Sequence, residues 1–221
     1  IAEEYEKHFG VLPEVITNAP GRQSLKPVAT ANVIRLVHHG ICTPSRRIER
    51  MIDMMRLLPE NFQLDLILLT PERSSPATIA YMEGLKIQAS FTDRIHFLPA
   101  VSVEKILPVL NQYDVGIILI PPVNFNYENT LPNKFFDFIQ ARVALAIAPT
   151  PEISAIVRKY KIGVVSDDFS AESLAKEICV LTPEMIQQFK NNTEQAAAEF
   201  CAEHNAVKFI SLVDHILSKK N

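Results

Sequence analysis

The residues best placed to do chemistry lie in segment 129–140, which reads NTLPNKFFDFIQ. This segment puts Lys134 in the first turn of an otherwise apolar helix and Asp137 one turn further on. Because a helix N-terminus already carries about half a positive charge, a lysine there is unfavourable unless an anion lies nearby. The pattern therefore indicates a phosphate beside Lys134, with Asp137 available to accept hydrogen bonds from hydroxyl groups.

A second loop repeats this arrangement in segment 38–47, HHGICTPSRR, which follows a predicted strand. Gly40 permits a tight turn or the close approach of a ligand to the backbone. Thr43 and Pro44 suit the start of a helix, and Arg46 then adds positive charge to its first turn. Two such helix starts facing one crevice would form a phosphate site of the kind that an enzyme needs to hold a nucleotide sugar.

Both features also have a purely structural interpretation. The arginines could be solvated and paired with Glu49 or Asp53, and Asp137 could be a core aspartate satisfied by backbone amides or a neighbouring lysine. A buried carboxylate without partners is costly, so Asp137 should receive hydrogen bonds. His38 and His39 are expected to shape their loop rather than bind metal, because no acidic residue stands near them in the sequence.

A regular alternation of strands and helices positions these residues. Apolar runs predict strands at 12–17, 33–38, 64–69, 95–98, 115–120, 145–148 and 162–165. Helical spacing of apolar residues predicts helices at 2–9, 45–58, 77–88, 103–112, 132–141, 153–160, 171–181, 184–200 and 204–219. Nearly continuous apolar strands are typical of parallel strands covered on both faces. We therefore predict an α/β fold, a Rossmann-like doubly wound parallel sheet with extra C-terminal helices and a ligand crevice beyond the carboxyl ends of its strands.

The turn-rich segment 18–27 is the best domain boundary in the sequence. We predict a connector from an absent N-terminal domain at 1–32, the Rossmann-like domain at 33–182, and C-terminal helices at 183–221. The chain begins with Ile1 and runs directly into an amphipathic helix, which suggests that an upstream part has been removed.

Composition excludes several classes of protein. The 221 residues are 48% hydrophobic and 21% charged, with a net charge of −3, which argues against a nucleic-acid surface or a polybasic membrane patch. The three cysteines are widely spaced and predict reduced cytoplasmic thiols rather than disulfides or zinc ligands. We expect neither a signal peptide nor a membrane span, because the apolar runs of this sequence are short. We expect a cytoplasmic protein, attached to a membrane, if at all, through the missing domain.

Six segments of the sequence occur in an order in which the chain resembles the C-terminal domain of GT-B-fold glycosyltransferases of group 1 (family 4). The resemblance covers nearly the whole chain, residues 1 to about 30 being similar to the connector from the acceptor domain. The segments that carry it are 33–69, 93–99, 113–118, 131–138, 146–149 and 162–165. It implies a bacterial-type, retaining enzyme whose C-terminal domain binds the nucleotide half of an activated sugar.

The resemblance also implies roles for individual residues. Arg46 matches a family lysine that contacts the diphosphate, and Asp137 matches the second glutamate of the Glu-x7-Glu motif, which binds the ribose hydroxyls. The backbone around Leu98 and Pro99 would contact the base. The implied diphosphate contacts are Gly40, Arg46, Asn133 and Lys134. The implied sugar contacts are Glu128, Asn129, Thr130, Leu131 and Pro132.

Three positions depart from the family pattern. Asn129 replaces the first glutamate of the motif, although Glu128 is adjacent; Ile41 replaces an arginine; and Asp137 shortens the second glutamate. The expected activity is sugar transfer from a nucleotide sugar to an acceptor held by an N-terminal domain of the same protein, in polysaccharide or glycoconjugate synthesis.

We expect the cations to supply the charge that a metal would supply, so neither a metal nor a cofactor is required. No catalytic residue is expected in this chain, which alone would bind nucleotide weakly and transfer nothing. The alternatives are a sugar-nucleotide epimerase of the same fold and a non-catalytic, degenerate binding module.

Overall fold

The computed structural model describes residues 1–70 and 75–218, and within them the chain forms a six-stranded sheet with helices on both faces. The strands are β1 Ile34–Ile41, β2 Phe62–Leu69, β3 Ile95–Leu98, β4 Val115–Ile118, β5 Ala144–Ile147 and β6 Gly163–Val165. The helices are α1 Ala2–Phe9, α2 Glu49–Met55, α3 Pro76–Ala89, α4 Val103–Leu110, α5 Phe125–Asn129, α6 Asn133–Gln140, α7 Pro151–Tyr160, α8 Ala171–Cys179, α9 Pro183–Glu199 and α10 Ala202–Ser218.

The sheet is parallel throughout, with strand order β3-β2-β1-β4-β5-β6. This order confirms the predicted doubly wound α/β fold. The direction of winding reverses between β1 and β4, which is the position where ligands bind in such folds. These two strands pair only at Leu36 with Val115 and Val37 with Gly116, so the ladder ends well before the carboxyl end of β1.

Alternate residues of the central strands pack into two separate hydrophobic layers. Leu36 and Ile117 pack on the face covered by α2, α3 and α8, whereas Val37 and Ile118 pack on the face covered by α4, α6, α7 and α9. Both faces are therefore dry, as the continuous apolar strands predicted, and only the strand ends can present polar groups to a ligand.

The helix predicted at 45–58 is wrong in its first part. Pro44–Arg46 forms a single 3-10 turn, Arg47 adopts a left-handed conformation with φ of 51°, and α2 begins only at Glu49. The left-handed residue interrupts the helix, so Arg46 does not lie in the first turn of an α-helix. The expectation that Arg46 lies at the positive end of an α-helix is therefore wrong.

The strand predicted at 12–17 is also wrong, because this segment has no regular secondary structure. Its carbonyl groups bond to side chains of α10 instead of a neighbouring strand: Lys208 donates to Val15 and Asn205 donates to Thr17. The short helix α5 was not predicted, since five residues are too few to show a helical period.

The two C-terminal helices are found close to the predicted positions, as α9 and α10. The predicted end of the last helix at residue 219 lies outside the described residues. None of the helices in the described part of the chain combines the length and the apolar character needed to cross a bilayer.

A buried arginine joins α9 and the linker segment to the helix that carries Lys134. The Arg142 side chain is 1% exposed and its Nε donates to Glu194 of α9 at 2.7 Å. Its Nη1 donates to the carbonyls of Ile139 and Gln140 at the end of α6, and its Nη2 donates to the carbonyl of Gln23. Removal of the Arg142 side chain would take a donor from the carbonyls of Gln140 and Gln23, whereas the carbonyl of Ile139 would still accept from the backbone N–H of residue 142.

We expect Arg142→Met to lower the free energy of unfolding by about 3 kcal/mol, because it removes the buried partner of Glu194 and the donor to the carbonyls of Gln140 and Gln23. Chemical denaturation measures the change. Arg22→Met is the matched control, since Arg22 binds the same Glu194 at 3.1 Å but is 52% exposed; it should lose less than about 1 kcal/mol. Equal losses for the two variants would contradict this role of Arg142.

Candidate functional site

Two cations meet above Gly40, at the carboxyl end of β1. Gly40 has a φ of 130°, and a Cβ placed on it would lie 2.8 Å from Nη1 of Arg46 and 3.3 Å from Nζ of Lys134. Any other residue here would be strained and would push the cations aside. The structure thus brings together the two cations that the sequence placed on separate loops.

Lys134 is 5% exposed and lies in the first turn of α6. Burial, and then the charge of Arg46, lower its pKa well below the ordinary value, while Asp137 acts weakly in the opposite direction. Within residues 1–70 and 75–218 no carboxylate lies within ion-pair distance of either cation. The charged form of Lys134 is therefore disfavoured at this position, and a bound anion would stabilise it.

The N-terminus of α6 adds backbone donors to these cations. Its N-cap residue is Pro132, and no side chain caps the first turn. The initial N–H groups of a helix have no partner within the helix, so those of Asn133 and Lys134 are available to a ligand. The side chain of Asn133 accepts a hydrogen bond from Asn18 at 3.0 Å, which ties the linker segment to this helix start.

Asp137 lies on the other side of Gly40, facing His39. Its Oδ2 is 3.5 Å from Nε2 of His39, and that nitrogen has no hydrogen-bond partner. Burial raises the pKa of Asp137 to about 6 and lowers the pKa of His39 to about 3. The two side chains therefore do not form an ion pair at neutral pH, despite their short separation.

The expected hydrogen bonds to Asp137 are not found among the described residues, and neither are the backbone amides of the alternative interpretation. Gln140, which the helical spacing placed near Asp137, instead donates to the carbonyls of Ala197 and Phe200. The acceptor capacity of Asp137 is thus left for a ligand, and its raised pKa reflects burial without donors.

Gly40 and Asn133 line two clefts at once. Cleft A has a volume of about 360 Å³ and is also lined by Ile41, Arg46, Ile118, Ile120, Asn126, Tyr127, Thr130, Pro132, Lys134, Thr150 and Ile153. Cleft B has a volume of about 380 Å³ and is also lined by Asn18, Ala19, Pro20, His39, Ile67, Leu69, Ala100, Val101, Val103, Ile106, Leu107 and Asp137. A ligand that reached from one cleft to the other would pass over Gly40 and beside both cations.

The remaining predicted contacts are distributed unevenly around these clefts. Thr130 and Pro132 line cleft A, whereas Leu131 lines an adjoining groove. Glu128 is exposed on α5. Asn129 lines the same groove as Leu131, and its Nδ2 donates to the carbonyl of Phe125 at 2.9 Å.

Leu98 is the last residue of β3 and Pro99 follows it; neither lines cleft B, whereas the next two residues, Ala100 and Val101, do. Sequence reasoning did not assign ligand contacts to His39, Asn126 or Tyr127, which line the clefts. The position of His39 directly before the loop glycine is a signal that could have identified it.

Comparisons with known proteins identify the fold. Neither the models of known protein families nor the curated protein sequences give a match to this chain. Among solved structures, sucrose-phosphate synthase from Thermosynechococcus elongatus matches with a TM-score of 0.74 and 17% identity, over 98% of this chain and 56% of that one. Anabaena HepE, solved in complex with UDP and glucose, matches with a TM-score of 0.65 and 14% identity, over 82% of this chain and 48% of that one.

WaaG, a glycosyltransferase involved in lipopolysaccharide biosynthesis, matches with a TM-score of 0.63 and 14% identity, over 93% of this chain and 59% of that one. The chain thus spans about half the length of the solved structures it matches. These likenesses confirm the predicted fold, one half of a GT-B fold, and are consistent with its C-terminal half.

The raised pKa of Asp137 predicts a specific pH dependence of stability. The folded protein binds a proton at Asp137 more tightly than the unfolded chain, where the ordinary pKa is 3.8. The stability from this group is therefore fully present below about pH 4 and is lost as the pH rises to about 6. Asp137→Asn should remove this pH-dependent loss in the free energy of unfolding. We expect the loss to be about 1–2 kcal/mol, because solvent screens the partly exposed carboxyl group.

Urea denaturation of both proteins between pH 4 and pH 7 measures the difference. Lys134→Met provides a second test, because the charge of Lys134 lowers the pKa of Asp137. Its removal should raise that pKa further, so that stability continues to fall with pH above pH 6. Parallel stability curves for the wild type and Asp137→Asn would contradict the assignment.

Proposed function

We propose that this chain is the donor-binding domain of a glycosyltransferase and that it holds a nucleoside diphosphate sugar across Gly40. The observation that carries the proposal is the convergence of Arg46 and Lys134 on one side of that glycine, with no carboxylate to neutralise them among the described residues. A diphosphate supplies the missing negative charge and fits beside a glycine that gives it direct access to the backbone.

The clefts on either side match the two ends of such a donor. Cleft B combines Asp137, a free acceptor for ribose hydroxyls, with apolar residues against which a base can pack, among them Ile67, Val101 and Ile106. Cleft A offers Asn126, Tyr127 and Thr130 to the hydroxyl groups of a sugar. The neighbouring HepE structure contains UDP and glucose, so uridine is the first base to test.

In the proposed reaction the diphosphate is the leaving group, and negative charge accumulates on it as the bond to the sugar breaks. Arg46, Lys134 and the uncapped N–H groups of α6 are fixed in position before reaction, so they would stabilise this charge without reorganisation. These groups make a metal unnecessary for charge neutralisation in our proposal.

The acceptor and the groups that activate it are proposed to lie on an N-terminal domain of the same protein, as the half-length matches suggest. Exposed apolar side chains on α1 and α10, including Phe9, Phe209 and Ile210, offer surface for such a domain. A cytoplasmic, bacterial-type enzyme of polysaccharide or glycoconjugate synthesis is the setting that we propose for the full-length protein.

One observation favours a second candidate, a non-catalytic binding module. Asn129 replaces the glutamate expected to touch the sugar, and its amide bonds to the backbone of α5. A module of this kind would keep the fold without binding nucleotide diphosphates, so direct titration separates the two candidates.

We expect Arg46→Met and Lys134→Met each to weaken UDP binding by about tenfold to a hundredfold, because each removes a charged hydrogen bond to phosphate. The affinity for uridine, which lacks the diphosphate, should fall less than about twofold. Isothermal titration calorimetry on the folded domain measures both ligands, and thermal unfolding verifies that each variant is folded.

Arg47→Met is the matched control, because this adjacent guanidinium is 55% exposed and paired with Glu49 at 3.4 Å. It should leave UDP affinity unchanged. Equal losses of affinity for UDP and for uridine would contradict the proposal that Arg46 and Lys134 bind phosphate. A folded wild-type domain that binds no nucleoside diphosphate would favour the binding module.

A further inference from the structure

We propose that His38 is the positioning residue of this site: from inside the sheet it holds the ammonium group of Lys134 beside Gly40, where the diphosphate binds. The inference rests on the proposed function and adds to it a residue that does not itself touch the ligand. It begins from the point where the ladder between β1 and β4 ends.

His38 follows Val37, the last β1 residue that pairs with β4. The carbonyl of Ile118 accepts a hydrogen bond from Ala148 on the β5 side, so the carbonyl of Ile117 points towards β1. The His38 ring takes the place of the missing ladder partner there, with Nδ1 2.8 Å from that carbonyl oxygen. Since a carbonyl can only accept, Nδ1 must carry the proton.

This first bond determines what the other ring nitrogen can do. With the proton on Nδ1, Nε2 of the neutral ring is an acceptor, and it lies 3.2 Å from Nζ of Lys134. His38 is fully buried, and burial lowers its pKa well below the ordinary value, so the ring remains neutral. The backbone of β4 thereby fixes the tautomer, and the tautomer fixes the direction of the lysine ammonium.

A neutral acceptor suits this position better than a carboxylate would. A carboxylate would orient Lys134 equally well but would neutralise its charge and compete with phosphate. The other charged or titratable groups near the lysine are Arg46 from the 3-10 turn, Asp137 from α6 and His39 from β1. None of them forms a hydrogen bond with Nζ, so His38 alone among the described residues directs it.

A double-mutant cycle tests this role. His38→Phe keeps a ring of similar size but offers Lys134 no acceptor, and it should weaken UDP binding about tenfold while uridine binding changes less than twofold. In the Lys134→Met background the same substitution should change UDP affinity less than twofold, because the group that His38 positions is then absent. His38→Gln, which can present an acceptor oxygen to the lysine, should recover most of the affinity.

A merely structural histidine would give a different result, since His38→Phe would then weaken UDP and uridine alike, or weaken UDP equally in both backgrounds. Either outcome overturns the proposal, as does an unchanged affinity for UDP in His38→Phe.

A second test uses only the wild-type protein and so does not depend on the folding of a variant. NMR measures the chemical shifts of the His38 ring nitrogens between pH 5.5 and pH 8. A neutral ring with the proton on Nδ1 throughout is expected; an imidazolium or the other tautomer overturns the inference. Failure of the wild type to bind UDP would instead count against the proposed function.

Discussion

The structure depends on one electrostatic constraint, the meeting of two uncompensated cations beside a glycine at the end of β1. A buried lysine ordinarily has a carboxylate partner or loses its charge. Lys134 has a neutral histidine and a neighbouring guanidinium instead. Phe135 and Phe136, which follow Lys134 in α6, belong to one of the two hydrophobic layers and so anchor the helix start that carries this lysine.

The positions of the two clefts beside Gly40 follow from the sheet topology. Because β1 and β4 pair over only two residues, the carboxyl end of β1 is not paired with β4, and Gly40 in that end borders both cleft A and cleft B. The helix start at Asn133 borders both clefts, so one short segment can contribute to each end of the ligand that we propose. The proposed phosphate site has no glycine-rich loop, and charged side chains and helix N–H groups would take its place.

Buried polar residues away from the clefts connect the site to the periphery of the domain. Arg142 ties the end of α6 to α9 and to the linker segment. Lys190 of α9 similarly donates to Asp114, directly before β4, from a fully buried position. The end of α6 and the residue before β4 are thus each held by a buried cation that has a carboxylate partner, in contrast to the two cations of the site itself.

The sequence by itself determined the α/β class, most element positions, the C-terminal helices, and the two loops that carry Gly40, Arg46 and Lys134, because these follow from apolar periodicity and local residue chemistry. Tertiary structure alone decided how those loops meet. The left-handed Arg47 breaks the expected helix, the chain before residue 18 bonds to α10 instead of forming a strand, and His38 reaches Lys134 across 96 positions of sequence. Periodicity reports only which face of an element is buried; which side chains share a hydrogen bond depends on long-range strand pairing, which leaves no local signal.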